Sequence, residues 1–199
     1  LTLFSEVLDS NNIKALGTIE IKNLPQETNL LYSFKRKYSD IIENLNKTSD
    51  NLSAEMTLYA LANKYSGKPA TADSGVQFIN LLIDTIGLNR KDYRLVDGSG
   101  VSHYNNVSAE LLVNILKYFY DKQPELYEIL YNSFPIAGID GTLENRMRKT
   151  PAANNVHAKT GTLTGVSCIS GYLTTKKNHA IAFSIMMQNY VGSSSKAKE

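Results

Sequence analysis

The stretch Lys159-Thr160-Gly161-Thr162 gathers a cation, two hydroxyls and a bare backbone position in one short run. On a strand, that combination suits the holding of an anionic peptide end. The ammonium of Lys159 sets up a positive field that can hold a carboxylate or tune a neighbouring base. The hydroxyls of Thr160 and Thr162 can donate to that carboxylate. Gly161 removes a side chain, so a peptide backbone can lie against the strand edge. The backbone N–H of Thr162 can then form half of an oxyanion hole. The plain alternative is that Lys-Thr-Gly is a common strand-end tripeptide.

Ser49-Asp50-Asn51 is a second candidate. A serine hydroxyl can relay a proton there, and an asparagine amide can bind a peptide carbonyl. The same triplet is also an ordinary helix N-cap. A third run, Asp97 to Asn105 ("DGSGVSHYN"), brings Ser, His and Asp close in sequence. Triad members meet from separate segments, and the run lacks a Gly-x-Ser-x-Gly elbow. It reads as a rigid turn in which Asx and Ser side chains bond to backbone. Cys168 alternates with Val166, Ser170 and Tyr172, and no local feature would lower its pKa. It reads as a buried structural thiol. His103, His157 and His179 show no metal-ligand spacing.

These residues must be positioned by the elements around them. Apolar spacing predicts a helix over Leu1 to Leu8 that stops at Ser10-Asn11-Asn12. Strands are expected at "ALGTIEIKN" and near Leu30 to Phe34. Asp40 and Glu43 resemble a capping box that opens the helix "DIIENLN". A helix follows the Ser49 triplet, with Leu52, Met56, Tyr59 and Ala60 at core spacing and Gly67 as its stop. The next helix faces inward through Val76, Ile79, Leu82, Ile83 and Ile86 and ends at Gly87. Ser108 caps another, which buries Leu111, Leu112, Ile115, Leu116 and Phe119. A shorter helix begins at Pro124. The last third reads as three strands, the final two forming a hairpin turned at Lys176-Lys177-Asn178. Helices first and antiparallel strands last give an α+β class.

The 199 residues suffice for one domain with a core. A net charge of +2, with no basic stripe, gives no reason to expect nucleic acid. One cysteine excludes an internal disulfide, and no apolar run is long enough for a membrane span.

Ser-x-x-Lys, Ser-Asp-Asn and Lys-Thr-Gly are the set shared by penicillin-binding proteins and class A β-lactamases. The second and third are present here in order. Four longer blocks, "LNKTSDNLSAE", "LVDGSGVSHYNNVSAELL", "FPIAGIDGTLENRM" and "HAKTGTLTGVSCISGYLTT", resemble successive blocks of one family. That family is the class C low-molecular-mass penicillin-binding proteins, the D-alanyl-D-alanine carboxypeptidases and endopeptidases of the cell envelope. The resemblance spans nearly the whole chain. Val101 stands where the family usually has leucine, a mild apolar exchange.

The resemblance implies a β-lactamase/penicillin-binding-protein-like transpeptidase fold, an antiparallel sheet flanked by helices. Residues 1–199 would form its C-terminal part, with a flexible tail at 192–199. It implies serine-type acyl transfer to water, with no metal and no cofactor. Ser49 would pass a proton to the leaving amine and Asn51 would hold the acyl side. Lys159 would supply positive potential, Thr160 and Thr162 would bind the terminal carboxylate, and Gly161 would admit the substrate. The implied partners are peptidoglycan D-Ala-D-Ala peptides and β-lactams that acylate the complete enzyme. The implied location is the periplasm or another extracytoplasmic compartment.

The family's Ser-x-x-Lys is expected upstream of Leu1. The formal match Ser193-Ser194-Ser195-Lys196 lies in a polar tail, where family order places no nucleophile. These residues alone are thus expected to lack acylation activity and to leave apolar surface uncovered. Two other readings stand beside this one: a non-catalytic peptidoglycan-binding module, and a β-lactamase or esterase on the related fold.

Overall fold

The computed structural model describes residues 2–17, 20, 23, 25, 27–66 and 69–198. The chain divides into two compact units, Leu1–Lys35 and Arg36–Glu199.

The first unit holds helix α1 (Thr2–Ser10). It stops where the sequence predicts, because Ser10 and Asn11 turn their side chains onto the Val7 carbonyl at 2.9 and 2.8 Å. Short polar side chains of this kind compete with the helical ladder. Leu3, Phe4 and Val7 remain exposed. Of the strand expected at 15–23, residues 18, 19, 21 and 22 lie outside those described, and the described residues 15–17, 20 and 23 are in no strand. Leu30 to Phe34 is not a strand: no regular element is assigned there. β-propensity alone does not make a strand.

The second unit opens with five helices: α2 (Tyr38–Thr48), α3 (Asn51–Ser66), α4 (Ala72–Thr85), α5 (Ala109–Lys122) and α6 (Pro124–Ser133). Three strands follow, β1 (His157–Leu163), β2 (Val166–Thr174) and β3 (Ala180–Gln188). They form one antiparallel sheet in the order β1-β2-β3. This is the α+β arrangement expected. The hairpin turns as predicted, with Asn178 left-handed (φ 61°) and Thr175 N–H on the His179 carbonyl at 2.9 Å.

Two helix details depart from expectation. The Asp40/Glu43 capping box does not form. Helix α2 starts earlier, after Lys37, with no side-chain cap, so both acids lie inside it. Asp40 still sits in the first turn, where the helix dipole favours a carboxylate. A capping box instead opens α4, between Thr71 and Ser74. In α3, the expected core residues Leu52, Met56 and Tyr59 are exposed, while Leu58 and Ala62 are buried. Gly75 of α4 decides this, since a Cβ there would lie 2.6 Å from Leu58 Cδ1 and 2.7 Å from the Leu58 carbonyl. The bare glycine lets the two helices meet on the Leu58 side. Gly67, the expected stop of α3, lies outside the described residues. Gly87 closes α4 as predicted, with φ +82° and Leu88 N–H on the Ile83 carbonyl.

Ser108 caps α5 through its Oγ on Leu111 N–H at 3.1 Å, and Leu111 and Leu116 are buried as predicted. One core cluster joins Leu116, Phe134 and Tyr172. The Tyr172 hydroxyl donates to the Leu116 carbonyl at 2.8 Å, tying the centre of β2 to α5. A second cluster joins Ala137, Leu143, Val156 and Ala158, with Ile169, Leu173 and Phe183 packed on it. Gly171 of β2 is sterically required there, because a Cβ would run into the His157 carbonyl and Ala158. Each fully buried Leu- or Phe-sized chain contributes about 1.5–3 kcal/mol, so these clusters hold β1 and β2 in place.

Candidate active site

Ser49 is the C-cap residue of α2 and lies in the left-handed region (φ 58°, ψ 48°). A non-glycine residue held there costs on the order of 1–3 kcal/mol, a cost often found at functional sites. Two anchors hold the end of α2. Asn46 is buried and donates to Ser133 Oγ at 2.7 Å. Lys47 donates to the Phe134 carbonyl at 2.7 Å and to Asp140 Oδ2 at 2.6 Å.

The triplet at 49–51 divides its work. Asp50 is the residue that caps α3, taking the Leu52 N–H on Oδ1 and the Ser53 hydroxyl on Oδ2. The Ser53 hydroxyl bond holds its carboxyl below the ordinary value. The helix-cap reading of the triplet therefore holds on Asp50. Ser49 and Asn51 are left exposed, and Asn51 makes no side-chain hydrogen bond among the described residues.

Across the site, Lys159 Nζ donates to Ser49 Oγ at 2.8 Å and to the Thr160 carbonyl at 2.8 Å. The two loci are 110 residues apart in sequence. No carboxylate among the described residues forms an ion pair with Lys159. Burial pushes its pKa below the ordinary 10.5. A partly buried ammonium with only neutral oxygens bonded to it, among the described residues, is able to attract an anion.

Strand alternation separates the rest of the run. Lys159 and Gly161 lie opposite Ser170 and Cys168 of β2, on the face turned to α5. Thr160 and Thr162 lie opposite Ile169 and Ser167, on the other face. Thr160 Oγ1 donates to Thr142 Oγ1 at 2.8 Å. A Cβ on Gly161 would make only an ordinary contact, 3.8 Å from Cys168 Cβ. The chain's own packing therefore does not demand a glycine at this position.

Beside Lys159 lies a cavity of about 350 Å³ between α5 and the sheet. Leu112, Ile115, Leu116 and Phe119 of α5 line it together with Gly161 and Cys168. Cys168 is half-buried, and burial pushes its thiol pKa up, which keeps it protonated. That fits a structural thiol. His157, at the start of β1, stacks on Tyr131 with ring centroids 4.0 Å apart. Its Nδ1 is buried with no partner among the described residues, and burial pushes its pKa down.

The Asp97 run is a rigid turn, as expected. Asp97 accepts the N–H groups of Gly100 and Ser102 and the Asn105 amide, at 2.7 to 2.9 Å. Sequence reading missed Glu55, one helical turn beyond Asn51, which accepts the Gly98 and Ser99 N–H groups at 3.2 and 2.9 Å. Burial works to raise its pKa, but the Ser99 and Gly98 donors outweigh it and hold the carboxyl below its ordinary value. The signal available was an acid on a helix facing a glycine-rich turn. Thr142, in the turn that precedes β1, meets Thr160 directly.

In the tail, Ser195 also has a lysine three positions on, Lys198, so Ser193 is not alone in that spacing. The hydroxyls of Ser193 and Ser195 bond to each other at 2.6 Å. No group of His, Cys, Asp or Glu among the described residues could hold a metal ion. No described helix is long and apolar enough to cross a membrane.

A serine at the end of α2 thus meets a strand lysine that has no acid partner among the described residues. The model of the D-Ala-D-Ala carboxypeptidase 3 (S13) family matches residues 1–199. The chain belongs to that family. It is 31% identical to the D-alanyl-D-alanine carboxypeptidase DacB of Haemophilus influenzae over 177 residues, which cover 87% of this chain and 36% of that protein. It is 32% identical to a D-alanyl-D-alanine carboxypeptidase of Actinomadura, covering 96% of this chain and 36% of the relative. The chain therefore spans about a third of the length of these curated relatives.

The crystal structure of penicillin-binding protein 4 from Haemophilus influenzae superimposes with a TM-score of 0.86 at 29% identity, over 96% of this chain and 43% of that one. An extended-spectrum β-lactamase shares the fold at a TM-score of 0.60 and 18% identity, over 82% of this chain and 60% of that one. The family and fold expected from the motifs, a class C penicillin-binding protein of α+β architecture, are those found.

Proposed function

We propose that these residues are the C-terminal part of a serine-type D-alanyl-D-alanine carboxypeptidase or endopeptidase acting on peptidoglycan peptides outside the cytoplasm. Its Ser-x-x-Lys nucleophile would lie in sequence beyond the 199 residues. The observation that carries this reading is the 2.8 Å bond from Lys159 to Ser49, made by an ammonium without a carboxylate partner among the described residues.

In this reading the nucleophilic serine attacks the D-Ala-D-Ala carbonyl and the terminal D-alanine leaves as an amine. Ser49 passes a proton to that amine, with Lys159 biasing its hydroxyl electrostatically. The substrate carboxylate takes the place left open at the edge of β1, where the Lys159 ammonium reaches the Thr160 carbonyl and the hydroxyls of Thr160 and Thr162 come from the strand's other face. Asn51 holds the acyl side through its free amide. Gly161 leaves room for substrate backbone along the outer edge of β1, and the Thr162 N–H polarises the carbonyl. Water then releases the acyl group, and β-lactams acylate the same serine. No metal or cofactor enters these steps.

The apolar cavity beside Lys159 and the exposed Ile181, Ile185 and Met187 of β3 support the presence of further packed chain. Intact mass after incubation with benzylpenicillin tests the reading. The 199 residues should show no adduct. The protein extended to its relatives' length should show one adduct per chain, on a serine outside these residues. A stoichiometric adduct on the 199 residues would overturn the external nucleophile. No adduct on the extended protein would favour a non-catalytic peptidoglycan-binding module.

A further inference from the structure

Lys47 lies two residues before Ser49, and the steps above make no use of it. Its side chain is mostly buried, 17% exposed, and its only acidic partner among the described residues is Asp140. The other Asp140 oxygen accepts the Ile136 N–H at 2.8 Å. Ile136 in turn forms an isolated bridge with His157, at the start of β1. Next in sequence, Gly141 has φ +56°, and a Cβ there would lie 2.7 Å from the Lys47 carbonyl. Only glycine suits both the angle and the approach. Thr142 follows, with its hydroxyl against Thr160 of β1. The last turn of α2, the 134–142 turn and β1 are thus joined through one ion pair.

We propose that Lys47 and Asp140 are positioning residues. Their pair sets the Ser49 end of α2 against the Lys159-Thr160 stretch of β1. The inference rests on the function proposed above. An exposed pair would contribute little. A partly buried one costs desolvation, and here its cation also bonds the Phe134 carbonyl of a second segment. Proton transfer tolerates little misplacement, so a displaced Ser49 hydroxyl loses its part in catalysis while binding persists.

Leaving-group chemistry separates positioning from plain scaffolding. An amide nitrogen departs only with a proton, whereas a thiolate departs without one. The experiment uses the protein extended to its relatives' length and compares a D-Ala-D-Ala peptide with its thioester analogue. Asp140→Asn keeps an acceptor for Ile136, so it preserves folding where Lys47→Met leaves a carboxylate unpaired.

Per folded molecule, both variants should lose about 10–100-fold in kcat/KM on the amide. The thioester should fall about 3-fold or less, and Lys47→Arg should restore most of the amide rate. Equal losses on both substrates, or none on either, would overturn the positioning role. Absence of both activities in the unsubstituted protein would overturn the functional reading as well.

Discussion

The loops at 49–51 and 97–105 are built from the same kinds of residue and end in opposite states. In the second, Asp97 and Asn105 spend their polar atoms on the loop itself, and Glu55 takes two further N–H groups. In the first, only Asp50 is spent, as a helix cap, while Ser49 and Asn51 face outward. Among the described residues, the Ser49 hydroxyl meets only the Lys159 ammonium, from across the chain. A loop that satisfies itself is scaffold. A loop that leaves donors and acceptors open beside a cation is, in the function proposed above, the place for a ligand.

That contrast can be broken by mutation, and the largest effect is expected at Lys159. In the protein extended to its relatives' length, Lys159→Ala should slow acylation by benzylpenicillin by about 10²–10³-fold. Its melting temperature should hold or rise, because a partly buried ammonium without an acid partner is removed. A large fall in melting temperature at unchanged acylation would make Lys159 structural.

Asp97→Ala should do the reverse. It strands three donors and should destabilise by about 2–4 kcal/mol in urea unfolding. Acylation per folded molecule should stay within about 3-fold, as for a residue away from the reacting atoms. A selective loss of acylation would move this loop into the site.

The two ends of the pH scale sharpen the same comparison. Lys159's pKa is depressed below 10.5, so its charge is lost at lower pH than an ordinary lysine's. The alkaline fall in acylation rate should therefore begin below 10.5 and move upward in Lys159→Arg, read from rate against pH. An alkaline limb that Lys159→Arg leaves in place would assign it to another group.

The smallest effect belongs to Glu55. Its folded pKa is lowered from 4.5, so its contribution is complete above that value and is lost as pH falls through the lowered one. Glu55→Gln should flatten this acid-side loss in urea midpoints. An acid limb of unchanged slope would give it to other carboxylates.

Not all of this was legible beforehand. Helices α4, α5 and α6 and the three strands were, because each carries its own period and its own cap or turn residue, such as Ser108, Gly87 and Asn178. The buried face of α3 was not, since Gly75 on another helix selects it. The Leu30 to Phe34 stretch read as a strand because its residues favour one, but propensity alone did not make it one. Glu55 and Thr142 were invisible because their partners, the 98–99 amides and Thr160, lie far along the chain.

The order of Ser49-Asp50-Asn51 and Lys159-Thr160-Gly161-Thr162, and the blocks around them, determined the family from the sequence alone. Residue types and local spacing carry that much, because motif chemistry and helix and strand periods are written within a few residues. Only the tertiary structure decided that Asp50, and not Ser49, would cap α3. It alone decided that Lys159 would meet Ser49 rather than an acid, and that Lys47 and Asp140 would join their two segments. Those outcomes depend on which partners packing brings within about 3 Å, the reach of a hydrogen bond, and no local pattern encodes that distance.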